Sequence, residues 1–242
     1  MCGINILYTS KSIDRDGIIK KMNHSISHRG PDNSDFYSDD YISLGHTRLS
    51  IVDLSNNGNQ PMFSSNERYI IVFNGEIYNF NELKSQLNYD FTTTTDTEVV
   101  LASYLKWGKE CVNYFNGMFA FAIWDKFKKE LFVTRDRLGI KPLYYYYDES
   151  TFIFSSEIRS ILKTNLVDKK ICVQGLNEYL KFQTVNCPNT IIKDIKVLEP
   201  ASFVFFRDFK LLNKSTYWSP NKKSIDINGY SYDKLKNKVL QE

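Results

Sequence analysis

The sequence predicts an α+β fold in which helices pack on antiparallel sheets. Three features carry that prediction. Apolar runs of strand character are separated by hairpin-length turns, a few segments between them have helical spacing, and the 15% aromatic content comes mostly from 17 Phe and 16 Tyr. Such residues fit a pleated, half-buried surface better than a helical bundle.

Met1 to Tyr8 reads as a strand, with Ile4 and Ile6 on one face and Asn5 on the other. Asp14 to His28 carries Ile18, Ile19, Met22 and Ile26 at helical spacing, and Gly30-Pro31 ends it. Tyr41 to Leu49 is a further strand, and Glu67 to Phe73 a strongly apolar one. Asn79 to Leu87 reads as a short helix. Thr95-Asp96-Thr97-Glu98 has the form of a capping box, opening a helix through Val99, Val100, Tyr104 and Leu105. Strands follow over Phe119 to Trp124, Glu130 to Thr134, Leu143 to Tyr147 and Thr151 to Ser155, joined by short turn signals. Gln174 to Phe182 suggests another helix, and Phe203 to Phe206 a late strand.

At 242 residues the chain holds one large domain or two modest ones. Composition shifts near Asn213 toward Ser, Pro, Asn and Lys. The expected division is a main domain over residues 1–213, then a linker and the cut-short start of a second domain over 214–242. Tyr232, Leu235 and Val239 place the chain's end inside a new helix.

A net charge of +3 is too mild for a nucleic-acid partner, and the Lys-rich stretch from Lys210 to Lys238 reads as solvated surface. Cys2, Cys111, Cys172 and Cys187 form no CxxC pair, and His24, His28 and His46 add no metal-ligand spacing. No metal site is expected. Neither a membrane-length apolar run nor a signal peptide is visible, so free thiols in a reducing cytoplasm are the default.

Several residues invite a chemical reading beside a plain one. Cys2 is small enough for Met1 to be removed before it, which would join a thiol and a free α-amine on one residue, a nucleophile with its own base. Such an amine has an ordinary pKa of about 7.7–8.0. Equally, Cys2 is a small apolar residue opening a strand. Asn74-Gly75 after an apolar strand is a strong hairpin signal; a tight turn there would also present the Asn74 amide and the Gly75 N–H as two convergent oxyanion donors. Arg48 could clamp a carboxylate or form a surface ion pair. Asp96 could accept an ammonium or simply favour a helix N-terminus. Arg135 to Pro142 is a charged turn, best read as a loop with internal ion pairs; it lacks the GxxxxGK[ST] form of a phosphate site.

Taken in order, eight stretches resemble the glutaminase domain of asparagine synthetase-type class II glutamine amidotransferases, which are N-terminal nucleophile hydrolases. They are Cys2-Gly3-Ile4, His28 to Asp32, Arg48 to Leu54, Gly58 to Met62, Phe73 to Asn79, Asp96-Thr97-Glu98, Arg135 to Tyr145 and Ser155 to Ile158, within residues 2–205. The resemblance implies a four-layer αββα sandwich of two mainly antiparallel sheets, with the nucleophile at the end of a central strand. It implies Cys2 as nucleophile, Asn74 and Gly75 as oxyanion hole, and Arg48 on the glutamine α-carboxylate. Glu76 and Asp96 would surround the α-ammonium, with Leu49, Ile51 and Val52 lining the pocket. The implied partners are L-glutamine and a synthetase domain in cis or trans, with a homodimer as one assembly open to it.

No cofactor is expected for the glutaminase step. ATP and Mg2+ would belong to the synthetase domain, whose Ser-Gly-Gly-x-Asp-Ser loop does not occur here. Pro200-Ala201-Ser202 stands where the family usually has Pro-Gly-His, a departure bearing on the local turn. Two rival expectations are a catalytically inactive amidotransferase-like module that binds partners, and service to another ammonia-using pathway.

Overall fold

A computed structural model describes residues 1–220 and 231–241. Strand β1 (Gly3–Thr9) leads to helix α1 (Arg15–Ser25), then β2 (Asn33–Ser38), β3 (Ile42–Arg48), β4 (Met62–Phe63) and β5 (Tyr69–Ile77). Helices α2 (Phe80–Gln86), α3 (Asp96–Trp107) and α4 (Cys111–Tyr114) precede β6 (Gly117–Asp125), β7 (Glu130–Arg135), β8 (Tyr144–Tyr147) and β9 (Thr151–Ser155). Helices α5 (Ile158–Lys163) and α6 (Val173–Phe182), strands β10 (Lys196–Val197), β11 (Ser202–Arg207) and β12 (Lys210–Thr216), and helix α7 (Tyr232–Gln241) follow. Strand β12 runs through Asn213, where the composition shifts. Residues 221–230 and 242 of the expected 214–242 segment lie outside the described residues.

The strands form two antiparallel six-stranded sheets, ordered β10-β8-β9-β1-β3-β2 and β12-β11-β7-β6-β5-β4. Alternation along each strand makes the layers. From β1, Ile4, Ile6 and Tyr8 face the second sheet and pack with Leu44, Val72, Ala122 and Trp124. Leu7 faces the other way, onto Ile19 and Met22 of α1 and Ile161 of α5. On the outer face of the second sheet, Phe73, Phe119 and Phe121 pack against Val99, Val100 and Leu101 of α3. The result is helices, sheet, sheet, helices. The expected four-layer α+β sandwich is observed.

Polar contacts fix β1 within this stack. Asn5 donates to Asn23 Oδ1 at 2.9 Å, and its Oδ1 accepts from Ser155 at 2.7 Å and Ser160 at 2.6 Å. A fully buried amide satisfied from α1, β9 and α5 costs nothing in orphaned groups and specifies one position for the strand. Helix α3 begins as its sequence suggests: Thr95 Oγ1 accepts from Glu98 N–H at 3.3 Å. Glu98 does not complete the box. Its carboxylate instead binds the N–H groups of Thr92 and Thr93 at 2.9 and 2.7 Å, tying down the preceding loop.

Asn74-Gly75 is not a hairpin turn: β5 passes straight through it, with Asn74 opposite Ala120 and Gly75 opposite Phe119. Glycine serves there for close approach, because a Cβ would lie 2.5 Å from the Met118 carbonyl oxygen and 2.7 Å from the Phe73 ring. Ala201 adopts φ +54°, the left-handed region that a glycine occupies more cheaply. Its N–H donates to the Asp136 carbonyl at 2.8 Å, and its carbonyl accepts from Tyr217 N–H at 2.8 Å, which holds the turn despite the side chain.

Candidate active site

Cys2 immediately precedes β1, which lies between β9 and β3 in its sheet. Its thiol donates to the Leu49 carbonyl at 3.6 Å and accepts from Leu49 N–H at 3.4 Å. Burial pushes the thiol pKa up, while the Leu49 N–H, which favours the thiolate, opposes the shift. Arg29 Nε donates to the Cys2 carbonyl at 3.0 Å, fixing the residue from behind.

A cavity of about 150 Å³ opens beside this sulfur. All nine residues singled out from the sequence line it: Cys2, Arg48, Leu49, Ile51, Val52, Asn74, Gly75, Glu76 and Asp96. Asn74 is 1% exposed, and its Nδ2 has no hydrogen-bond partner. An orphaned buried donor is costly unless something else accepts from it.

Gly75 follows by alternation. Phe73 N–H donates to Gln60 Oε1 at 2.6 Å, and Ile77 N–H to Asp96 Oδ2 at 2.9 Å, both away from β6. In a regular strand the N–H of the residue between them points to the same edge. Two amide donors thus meet at the cavity through strand geometry, not through a turn.

Arg48 ends β3 and is buried. Its Nη1 donates to the Ser55 carbonyl at 2.6 Å and to Asn59 Oδ1 at 2.8 Å, and its Nη2 to the Asp53 carbonyl. These bonds wrap the 49–59 loop round the guanidinium and bring Leu49, Ile51 and Val52 to the rim. Of its five N–H donors three are used in this way, and Nε and one Nη2 hydrogen have no hydrogen-bond partner among the described residues.

Across the cavity Asp96, 6% exposed, has its pKa pushed up to about 7 by burial first, with the Glu76 charge adding and the Ile77 N–H opposing. Burial also raises Glu76, and Lys141 opposes that rise. His46 lies fully buried between the sheets with Nε2 3.2 Å from the Phe73 carbonyl. Burial lowers its pKa to about 3, so the ring is neutral and Nε2–H donates. It braces β3 against β5 and does not act as a base.

Three contributors escaped the sequence reading. Gln60 bridges β5 and α3, its Nε2 donating to Thr97 Oγ1 at 3.2 Å. Arg29 holds Cys2. Lys141, from the loop read as self-paired, lines the cavity at 4% exposure. All three sat inside recognised stretches, whose order was the only signal available. Among the described residues no cluster of three or more metal-ligating side chains occurs, and no helix is long and apolar enough to cross a membrane.

Within the αββα sandwich one cavity thus gathers the Cys2 thiol at the head of a central strand, the unpartnered Asn74 amide, the Gly75 edge of β5, the Arg48 guanidinium and the Glu76 and Asp96 carboxylates, an arrangement that fits the amidotransferase class. The chain belongs to the glutamine amidotransferase domain family, whose model matches residues 1–218. Asparagine synthetase (glutamine-hydrolyzing) 1 of Bacillus subtilis is 38% identical over 93% of this chain and 36% of its own length. A Methanocaldococcus jannaschii protein carrying a glutamine-hydrolyzing asparagine synthetase assignment is 42% identical over 98% of this chain and 49% of its own. The chain therefore spans half or less of the relatives it matches. Among solved structures, glutamine phosphoribosylpyrophosphate amidotransferase from B. subtilis superposes with a TM-score of 0.65 at 18% identity, covering 89% of this chain and 49% of that one. That likeness concerns the fold.

Proposed function

We propose that the protein hydrolyses the side-chain amide of L-glutamine to L-glutamate and ammonia through a thioester on Cys2. One observation carries the reading: a single cavity joins a thiol to the unpartnered Asn74 amide and to Gly75, with a cation and two carboxylates set to grip an amino acid's zwitterionic end. With Met1 removed, the Cys2 thiol proton passes to the freed α-amine as sulfur attacks the amide carbon. The Asn74 amide and Gly75 N–H hold the oxyanion. The C–N bond then breaks, the amine's proton leaves on ammonia, and water cleaves the thioester to glutamate and thiol.

Ammonia would pass to a synthetase domain in cis or trans, with aspartate, or a related carboxylate, as acceptor. ATP and Mg2+ would serve that domain. Glutamine hydrolysis by the purified protein, with glutamate and ammonia in equal amounts, is the test. Absence of turnover in a preparation shown to lack Met1 would instead favour an inactive partner-binding module.

The carboxylates add a pH signature. Asp96 is raised, so it is neutral below about pH 7 in the free protein and charged above it. An ammonium is held by the charged form. Glutamine affinity is therefore expected to weaken as pH falls through 7, read as a rising KM, and Asp96→Asn should bind weakly with that dependence gone. A KM that stays flat from pH 8 to 6 in the unaltered protein would remove Asp96 from substrate binding.

A further inference from the structure

The loop between β7 and β8 is built by its own charged side chains. The Asp136 carboxylate accepts from the N–H groups of Phe119 at 3.2 Å, Leu138 at 3.1 Å, and Ile140 and Lys141 at 2.9 Å each. The Arg135 guanidinium donates to the carbonyls of Lys141 at 2.7 Å, Leu198 at 2.6 Å and Gly139. Both groups are thus spent on backbone, and they hold the Lys141 main chain at its N–H and its carbonyl alike.

Lys141 is the charge this scaffold leaves over. It is 4% exposed, and among the described residues it makes no ion pair within 4 Å. Its Nζ lies 3.3 Å from Met1 Sδ, a weak acceptor that departs when Met1 is removed. A buried ammonium with no carboxylate contact is expensive, and such groups gather where charge serves chemistry.

The start of the chain is the nearest chemistry. There Arg29, from the segment after α1, donates to the Cys2 carbonyl, and Lys141, from the β7–β8 loop, reaches Met1. Asp32 stands nearby with its Oδ2 held by Ser50 N–H at 2.7 Å. Glu76 and Asp96 line the same cavity.

Resting on Cys2 as an N-terminal nucleophile, we infer that Lys141 acts through the terminal amine: its ammonium disfavours a second positive charge beside it and so keeps that amine neutral, ready to take the thiol proton. The amine at the present chain start already follows this pattern. Burial lowers its pKa most, Arg29 and Lys141 lower it further, and Cys2 and Asp32 act the other way. Without such help an α-amine, at about 7.7–8.0, is mostly protonated at pH 7 and a poor base.

The test is the pH profile of kcat at saturating glutamine, where the bound ammonium holds Asp96 charged, for the unaltered protein, Lys141→Met and Lys141→Arg. Met keeps the length and apolar stem of the side chain and removes its charge. Its acidic limb should move up by about one pH unit, a loss of about tenfold at pH 7 that vanishes above the limb. Lys141→Arg should restore the limb. An unmoved limb in Lys141→Met, or equal losses at every pH in both variants, overturns the inference. Direct titration of the 15N-labelled Cys2 amine reads the effect without turnover: a pKa that rises in Lys141→Met supports the inference, and the same value in both proteins overturns it. A glutamine-analogue electrophile separates the two levels. Normal labelling of Cys2 with an unshifted limb strikes Lys141 alone, whereas no labelling of the unaltered protein strikes the nucleophile itself.

Discussion

Cys2→Ala is expected to abolish glutamine hydrolysis, lowering kcat by about 10⁴-fold or more, in line with removal of a covalent nucleophile elsewhere. Alanine is also small enough to allow Met1 removal, so the variant keeps the free amine and isolates the loss of sulfur. Little of the fold depends on this side chain. Cys2 precedes β1, and its sulfur touches only the Leu49 main chain by hydrogen bond, while Asn5 and the Ile4–Ile6–Tyr8 face hold the strand. Unfolding midpoints should therefore stay close. Residual turnover within tenfold of the unaltered protein, in a pure preparation, would remove Cys2 as nucleophile.

Asn74→Ala is expected to lower kcat by about 10²–10³-fold, the loss of about 2.7–4 kcal/mol seen when one oxyanion donor is deleted, with KM changed little. The asymmetry is the diagnostic part. Asn74 Nδ2 has no partner in the resting protein, so its bond forms when charge develops on the amide oxygen. An interaction present only then lowers kcat and kcat/KM together. Asn74→Asp should be at least as damaging, because a carboxylate repels the oxyanion that the amide attracts. If KM rose by the same factor as kcat fell, Asn74 would be a substrate-binding residue instead.

Strand periodicity was legible wherever one face is buried. Ile4 and Ile6 against Asn5, and the apolar run ending at Phe73, announced β1 and β5 because the core selects alternate residues. Strands β2 and β12 escaped. They are edge strands, Asn33 to Ser38 with no fully buried residue and Lys210 to Thr216 largely exposed, so no core imprints a pattern on them. Helix α5, six residues long, is too short to show a period.

At the site, the recognised stretches brought all nine candidate residues to one cavity. Asn74-Gly75 shows where local chemistry misleads. The dipeptide suits a hairpin, yet pairing along the whole of β6 overrides it and places the glycine where two backbones approach. Lys141 shows the opposite limit. Its neighbours Arg135 and Asp136 suggested internal ion pairs, but both bind backbone, and a side chain's isolation is a property of tertiary packing that no spacing reveals.

Intact-mass analysis of the purified protein before and after a glutamine-analogue electrophile tests the central claim most directly. The expected result is a chain lacking Met1 that gains a single label, mapped to Cys2. An active protein that retains Met1, or a label falling on Cys111, Cys172 or Cys187 instead, would contradict an N-terminal thiol nucleophile.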